Sequence, residues 1–286
     1  LKTKRPTLAV VKFASCDGCQ LTLLDAEDEL LAVSEAFDIV HFAEASSRLE
    51  PGPYDIAFVE GSITTPEDRK RLLQLRTDSK VLVTIGACAT AGGVQALRNF
   101  ADHDEFMQSV YARPDYIQTL ATSTPISSHV KVDFELRGCP IDKHQLLEVI
   151  ASLLAGHRPR TSSESVCQPC KRRGTVCVVV ARNLPCLGPV TQAGCGSICP
   201  AYDRGCYGCF GPSHQPNVPS MTKQLISNGM NTVDSALFLQ SFNTYAPAFS
   251  DESQRLWQIA GRPQKPHPSL TATWQSLQSE MEADDE

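Results

Sequence analysis

Eight cysteines fall within 43 residues, from Cys167 to Cys209, among repeated glycines and prolines (LPCLGP, AGCGSICP, RGCYGCFGP). A segment with so little apolar periodicity cannot hold itself together by burial alone, so something else must staple it. Its thiols are spaced C-x2-C-x6-C-x8-C over Cys167, Cys170, Cys177 and Cys186, then C-x3-C-x6-C-x2-C over Cys195, Cys199, Cys206 and Cys209. Disulfides are one staple and metal is the other, and the choice turns on the redox compartment. The opening LKTKRPTLAVVKF has no apolar core ending in a small-residue cleavage site and no paired arginines, which predicts a cytoplasmic protein. In a reducing compartment twelve thiols serve metal ligation or redox chemistry before they serve cross-linking.

The first 155 residues have a different texture. TLAVVKF (7 to 13), DIVHF (38 to 42), YDIAFVEG (54 to 61) and KVLVTIGA (80 to 87) are continuous apolar runs, the pattern of strands buried on both faces. Helical patterns fit between them at 21 to 33 (LTLLDAEDELLAV) and 64 to 76 (TTPEDRKRLLQLR), the second opened by a capping threonine and a proline. A third runs from Pro140 to Gly156. This alternation predicts an α/β fold, a flavodoxin-like open parallel sheet. The polar GHRPRTSSESV (156 to 166) marks the expected junction, giving a sheet domain over 1–156 and a smaller loop-rich domain over 157–286. Beyond 212, MTKQLISNGM and DSALFLQSFNTYA suggest one or two short helices, and MEADDE a solvated tail. The net charge of −6 and the absence of a sustained basic face give no footprint for nucleic acid. The longest apolar runs, such as CVVVA, fall far short of the ~20 residues of a membrane span.

The remaining four cysteines sit where an open parallel sheet binds ligands, beyond the carboxyl ends of its strands. Cys16 and Cys19 follow the first strand in CDGC, Cys88 follows the fourth in IGACATAGG, and Cys139 stands in RGCP before a helix. A strand, C-x-x-C, then a helix is the layout of a redox dithiol, but that reading uses two thiols of the four. Zinc prefers two short-spaced pairs, whereas here one pair is joined by single cysteines after 68 and 50 intervening residues. That spacing favours an iron-sulfur cluster. By count alone, two clusters or two zinc ions account equally for the eight later thiols; a wire of three clusters is the coherent device.

CDGC, VEGS, GACAT and RGCP, then LPCLGPVT and GCYGCFGP, occur in the order that resembles the small subunit of a nickel-iron hydrogenase, specifically the cytoplasmic NAD(P)-linked sulfhydrogenase delta type, over roughly residues 7 to 215. The resemblance implies an electron-relay subunit with three 4Fe-4S clusters. Cys16, Cys19, Cys88 and Cys139 would hold the proximal one facing the large subunit. Cys195, Cys199, Cys206 and Cys209 would hold the medial one, and Cys167, Cys170, Cys177 and Cys186 the distal one. Cys167 stands where exported members carry histidine, and Cys195 and Cys199 together supply one thiolate beyond the three of their medial site. The medial cluster is therefore expected as 4Fe-4S, and low potentials with it. The implied partners are the nickel-iron large subunit and NAD(P)-reducing flavoprotein and ferredoxin-like iron-sulfur subunits. No strand-G-x-G-x-x-G-helix fingerprint is present, so cofactor reduction is expected elsewhere.

Three further features carry two readings each. Glu60, in VEG, is a candidate for proton transfer or cluster tuning, or a capping acid. Lys171, Arg172 and Arg173 could steer an acidic electron-transfer partner or be merely solvated. The seven histidines are scattered singly and read as structural. The rival functions are a complex I-like quinone-module subunit, which needs only one cluster, and a zinc-stabilised scaffold without redox chemistry.

Overall fold

The computed structural model describes residues 5–262. Five parallel strands form one sheet in the order β2-β1-β3-β4-β5: β1 Thr7–Lys12, β2 Asp38–Phe42, β3 Tyr54–Glu60, β4 Ser79–Ile85 and β5 Phe134–Leu136. This is the flavodoxin-like strand order, with the crossing point between β1 and β3. β1, β3 and β4 are apolar on both sides because helices cover both faces. Leu8, Val10, Phe58, Val83 and Ile85 pack one way with Leu146, Val149 and Ile150, while Ala9, Ala57, Val59 and Leu82 pack the other way with Leu72 and Leu75. Each such fully buried large side chain contributes roughly 1.5–3 kcal/mol of burial.

The sheet region carries six helices: α1 Gly18–Leu24, α2 Asp28–Ala36, α3 Pro66–Asp78, α4 Gly86–Ala91, α5 His103–Val110 and α6 Lys143–Leu154. The helix expected over 21 to 33 is two helices, broken at Asp25–Glu27, where Glu27 adopts φ 46. The capping signals of the next helix are as read, with Thr65 Oγ1 accepting the Asp68 N–H at 3.0 Å and proline in the first turn. The last of them starts later than Pro140, at Lys143, with Asp142 as its cap. The fifth strand is an addition to the four read from the sequence.

The cysteine-rich stretch contains three short helices, α7 Cys167–Arg172, α8 Val178–Arg182 and α9 Ile198–Ala201. Three longer ones follow, where one or two were expected: α10 Val218–Ser227, α11 Thr232–Leu239 and α12 Pro247–Ile259. They share a core of Met221, Leu225, Leu239, Phe249 and Leu256, into which Leu187 and Val190 of the cysteine-rich stretch insert. The two halves are seated on one another through Phe210. Its ring lies so close to Gly138 and Gly194 that a Cβ on either would stand 3.0 Å and 2.3 Å from it. Arg137 adds a bond from Nη1 to the Pro212 carbonyl at 3.2 Å. The MEADDE segment lies outside the described residues. Among the described residues no helix is long and apolar enough to cross a membrane.

Candidate functional site

All four thiols of the first set stand beyond the carboxyl ends of the strands. Cys16 lies in the turn after β1, Cys19 in the first turn of α1, Cys88 in α4 directly after β4, and Cys139 in the turn after β5. They form one electrostatic group. Burial pushes the Cys88 thiol up to about 11, with Cys139 and Cys16 adding to it. Burial likewise raises Cys139, followed by Cys16 and Glu60. Cys19 is raised furthest, by burial and then by the Glu60 carboxylate. Backbone makes the room: Gly86, at φ +87, sits where a Cβ would come within 2.3 Å of Cys19 Sγ.

Glu60 lies at the carboxyl end of β3 and is 1% exposed. Its two oxygens accept the N–H groups of Cys19 at 3.2 Å and Gln20 at 3.1 Å, so it caps the first turn of α1 across the sheet edge. Burial raises its pKa despite those donors. One residue escaped the sequence reading. The Gln95 side chain meets Cys88 Sγ at 3.3 Å through Oε1 and donates from Nε2 to the Ala14 carbonyl at 2.7 Å, tying the Cys88 turn to the Cys16 turn. Nothing in its spacing signals this.

The second set converges too. Cys167, Cys170, Cys177 and Cys186 line a small apolar recess with Val166, Val178 and Gly188. Burial lifts the Cys167 thiol to about 11, and Cys186, Cys170 and Cys177 follow as causes. Gly188 leaves space between two of the sulfurs, since a Cβ there would stand 3.3 Å from Cys186 Sγ and 3.6 Å from Cys167 Sγ. In the third set, burial lifts Cys209 to about 12, with Cys195, Cys139 and Cys199 behind it. Burial also raises Cys199, next to Cys195, and lifts Cys206 to about 12.

The three sets touch. Cys139, in the first set, stands close enough to Cys209, in the third, to help raise its thiol after burial and Cys195. The Cys206 N–H, in the third, donates to Cys186 Sγ of the second at 3.2 Å, and the Gly188 N–H reaches the same sulfur at 3.4 Å. The third set thus has a neighbour in each of the other two. Among the described residues, no three His, Cys, Asp or Glu side chains converge tightly enough to hold a single ion.

These donors fit iron-sulfur clusters. Desolvated thiols in mutual reach resist ionising when alone, and a cationic centre offsets the repulsion among the thiolates it binds. Backbone N–H groups aimed at sulfur are how such anionic ligands are stabilised.

The family model for the NADH ubiquinone oxidoreductase 20 kDa subunit matches residues 16–153. Sulfhydrogenase 2 subunit delta of Pyrococcus furiosus is 37% identical over 218 residues, covering 76% of this chain and 91% of that protein. The chain belongs to the hydrogenase small-subunit family. Within that family, a subunit of the F420-non-reducing hydrogenase of Methanocaldococcus jannaschii is 30% identical over 238 residues, covering 72% of this small subunit and 83% of its relative. A chain of the crystal structure of an NAD+-reducing [NiFe]-hydrogenase in the H2-reduced state superposes with a TM-score of 0.52 at 26% identity, over 55% of this small subunit and 96% of that chain. As a hydrogenase subunit it is part of an oxidoreductase, and its homologues point to iron-sulfur binding.

Proposed function

We propose that this small subunit carries three 4Fe-4S clusters and works as the electron relay of a nickel-iron hydrogenase linked to NAD(P), in the cytoplasm. Cys16, Cys19, Cys88 and Cys139 would hold the proximal cluster at the sheet edge. Cys195, Cys199, Cys206 and Cys209 would hold the medial one, and Cys167, Cys170, Cys177 and Cys186 the distal one. When bound, such clusters supply one-electron centres, three of which in a row connect the nickel-iron site of a large subunit with flavin and iron-sulfur subunits that act on NAD(P). The sheet domain over 1–156 and the cysteine-rich domain over 157–286 would divide the clusters one to two.

The observation that carries this reading is the hydrogen bond from the Cys206 N–H to Cys186 Sγ, together with the electrostatic reach of Cys139 on Cys209. Neighbouring thiol sets support a relay, since a scaffold has no reason to adjoin them. The likeness to a sulfhydrogenase delta subunit extends past the segment matched by the 20 kDa subunit model, which favours a hydrogenase over a one-cluster quinone module. Glu60 would hold the Cys19 turn in place for its cluster rather than carry protons.

The test is to isolate the chain anaerobically from its native host through a tag and identify its companions. The proposal expects a nickel-iron large subunit together with flavin and iron-sulfur subunits, and hydrogen-dependent reduction of NAD or NADP by the pool. A chain that emerges alone, or with quinone-reactive membrane subunits, contradicts it.

A further inference from the structure

If the first thiol set holds a cluster, something must decide how readily that cluster takes an electron, and one side chain stands where it can. Gln95 touches two of the segments that carry the set. The Cys88 thiol donates to its Oε1 at 3.3 Å, and its Nε2 donates to the Ala14 carbonyl, two residues before Cys16, at 2.7 Å. The fit is close. A Cβ on Gly93, at φ +62, would stand 2.6 Å from Cys88 Sγ and 2.8 Å from Gln95 Oε1, so a glycine there is what lets the two groups meet. Other sulfurs are met by main-chain N–H groups, those of Gly188 and Cys206 at Cys186 and that of Gly208 at Cys206, which no exchange of a side chain removes. At Cys88 the neighbour is a side chain, and it has both an acceptor and a donor end.

Which end should face the sulfur depends on what the sulfur binds. A thiol has a proton to give and suits Oε1. A sulfur bonded to iron has none, and Oε1 would then oppose it lone pair to lone pair. Turning the terminal amide about its last bond, a torsion without sharp minima, brings Nε2 to the sulfur instead. The Ala14 carbonyl is not stranded by that turn, because the Ser62 N–H also donates to it at 2.9 Å. The amide can therefore exchange one partner for the other without leaving a buried carbonyl unmet.

We propose that Gln95 is a tuning residue of the relay: with Cys88 as an iron ligand, it donates from Nε2 to Cys88 Sγ and so makes the cluster of the first set easier to reduce. The proposal rests on the relay reading and adds to it a residue that sets one of its potentials. A donor aimed at a ligand sulfur favours the more negative, reduced state, because the bond strengthens as charge on the sulfur grows. Gln95 gains and loses no proton and no covalent bond in this. One electron arrives from the nickel-iron side and leaves toward the next cluster.

The experiment uses the whole complex, isolated anaerobically through a tag on this chain, with Gln95→Leu and Gln95→Met, which keep the bulk and remove the donor. Reductive titration followed by electron paramagnetic resonance reads the midpoint potential of each cluster. The Gly86→Ala complex, in which a Cβ crowds Cys19 Sγ, marks the signal of the first set as the one it lacks. Both Gln95 variants should make that cluster about tenfold harder to reduce, a fall of about 59 mV for one electron, with the other signals in place. The sign separates tuning from bracing. A turn merely loosened by loss of the Ala14 tie would admit water, which favours the reduced state and raises the potential. An unchanged or raised potential overturns the proposal, as does a shift in a signal that the Gly86→Ala complex retains. Loss of about four irons, one cluster, from both variants also overturns it and leaves Gln95 a brace. An unaltered complex without iron in this chain overturns the relay reading instead.

Discussion

At the scale of single residues, two buried titratable groups set measurable expectations. Glu60 answers two main-chain donors that have no other acceptor in their turn, those of Cys19 and Gln20. Glu60→Ala leaves both N–H groups buried and unmet, which costs about 1–3 kcal/mol, and Glu60→Gln, keeping one acceptor, should cost less; chemical denaturation of the three proteins checks the order. His129 is a separate case. Burial, and then Arg69, lower its pKa from 6.5 to about 4, and its Nε2 shares a 2.7 Å hydrogen bond with Thr124. Because the folded value lies below the unfolded one, its contribution is complete above about pH 6.5 and is lost as pH falls toward 4. His129→Gln should remove roughly 2–3 kcal/mol of acid sensitivity in that window, visible as a smaller drop in melting temperature between pH 7 and 4.5. Sequence alone marks Glu60 by its place after an apolar strand. It does not mark Gln95, whose approach to Cys88 depends on how the 94–100 turn folds back.

At the scale of elements, the strands and the cysteines were legible for the same reason. A central parallel strand is buried on both faces and so reads as an unbroken apolar run, and the thiols follow those runs where ligands bind. β5 was not legible because three residues, Phe134–Leu136, are too few to show a period. The break between α1 and α2 was hidden as well, since the leucines at 21, 24, 30 and 31 keep helical spacing through a turn that Glu27 bends at φ 46. The three terminal helices were under-read because their apolar positions face one another, not the sheet. The β4-to-α4 turn gives the sharpest prediction. Gly86→Ala meets both a positive φ and a 2.3 Å approach to Cys19 Sγ. It should lower the iron content by about four atoms per chain, one cluster of the 4Fe-4S kind, while leaving the other two sets loaded. Iron analysis against protein concentration decides it.

For the whole molecule, the second half is not an appendage. Phe210 is 3% exposed and wedges between the turn of Cys139 and the turn of Cys195. Phe210→Ala should therefore destabilise the chain by about 3–5 kcal/mol, the cost of a large cavity, and calorimetry should show the loss in both halves. That cross-contact, like the bond from Cys206 to Cys186, was beyond sequence reasoning, because cysteine spacing defines sets without saying which sets are neighbours. The proposed relay requires its twelve thiols to form three cluster cages. Iron, acid-labile sulfide and zinc, determined on the anaerobically isolated native complex and assigned to this chain, test it most directly. About twelve irons and twelve sulfides per chain are predicted, four of each per cage, whereas zinc in place of iron, or iron for a single cage, would contradict it.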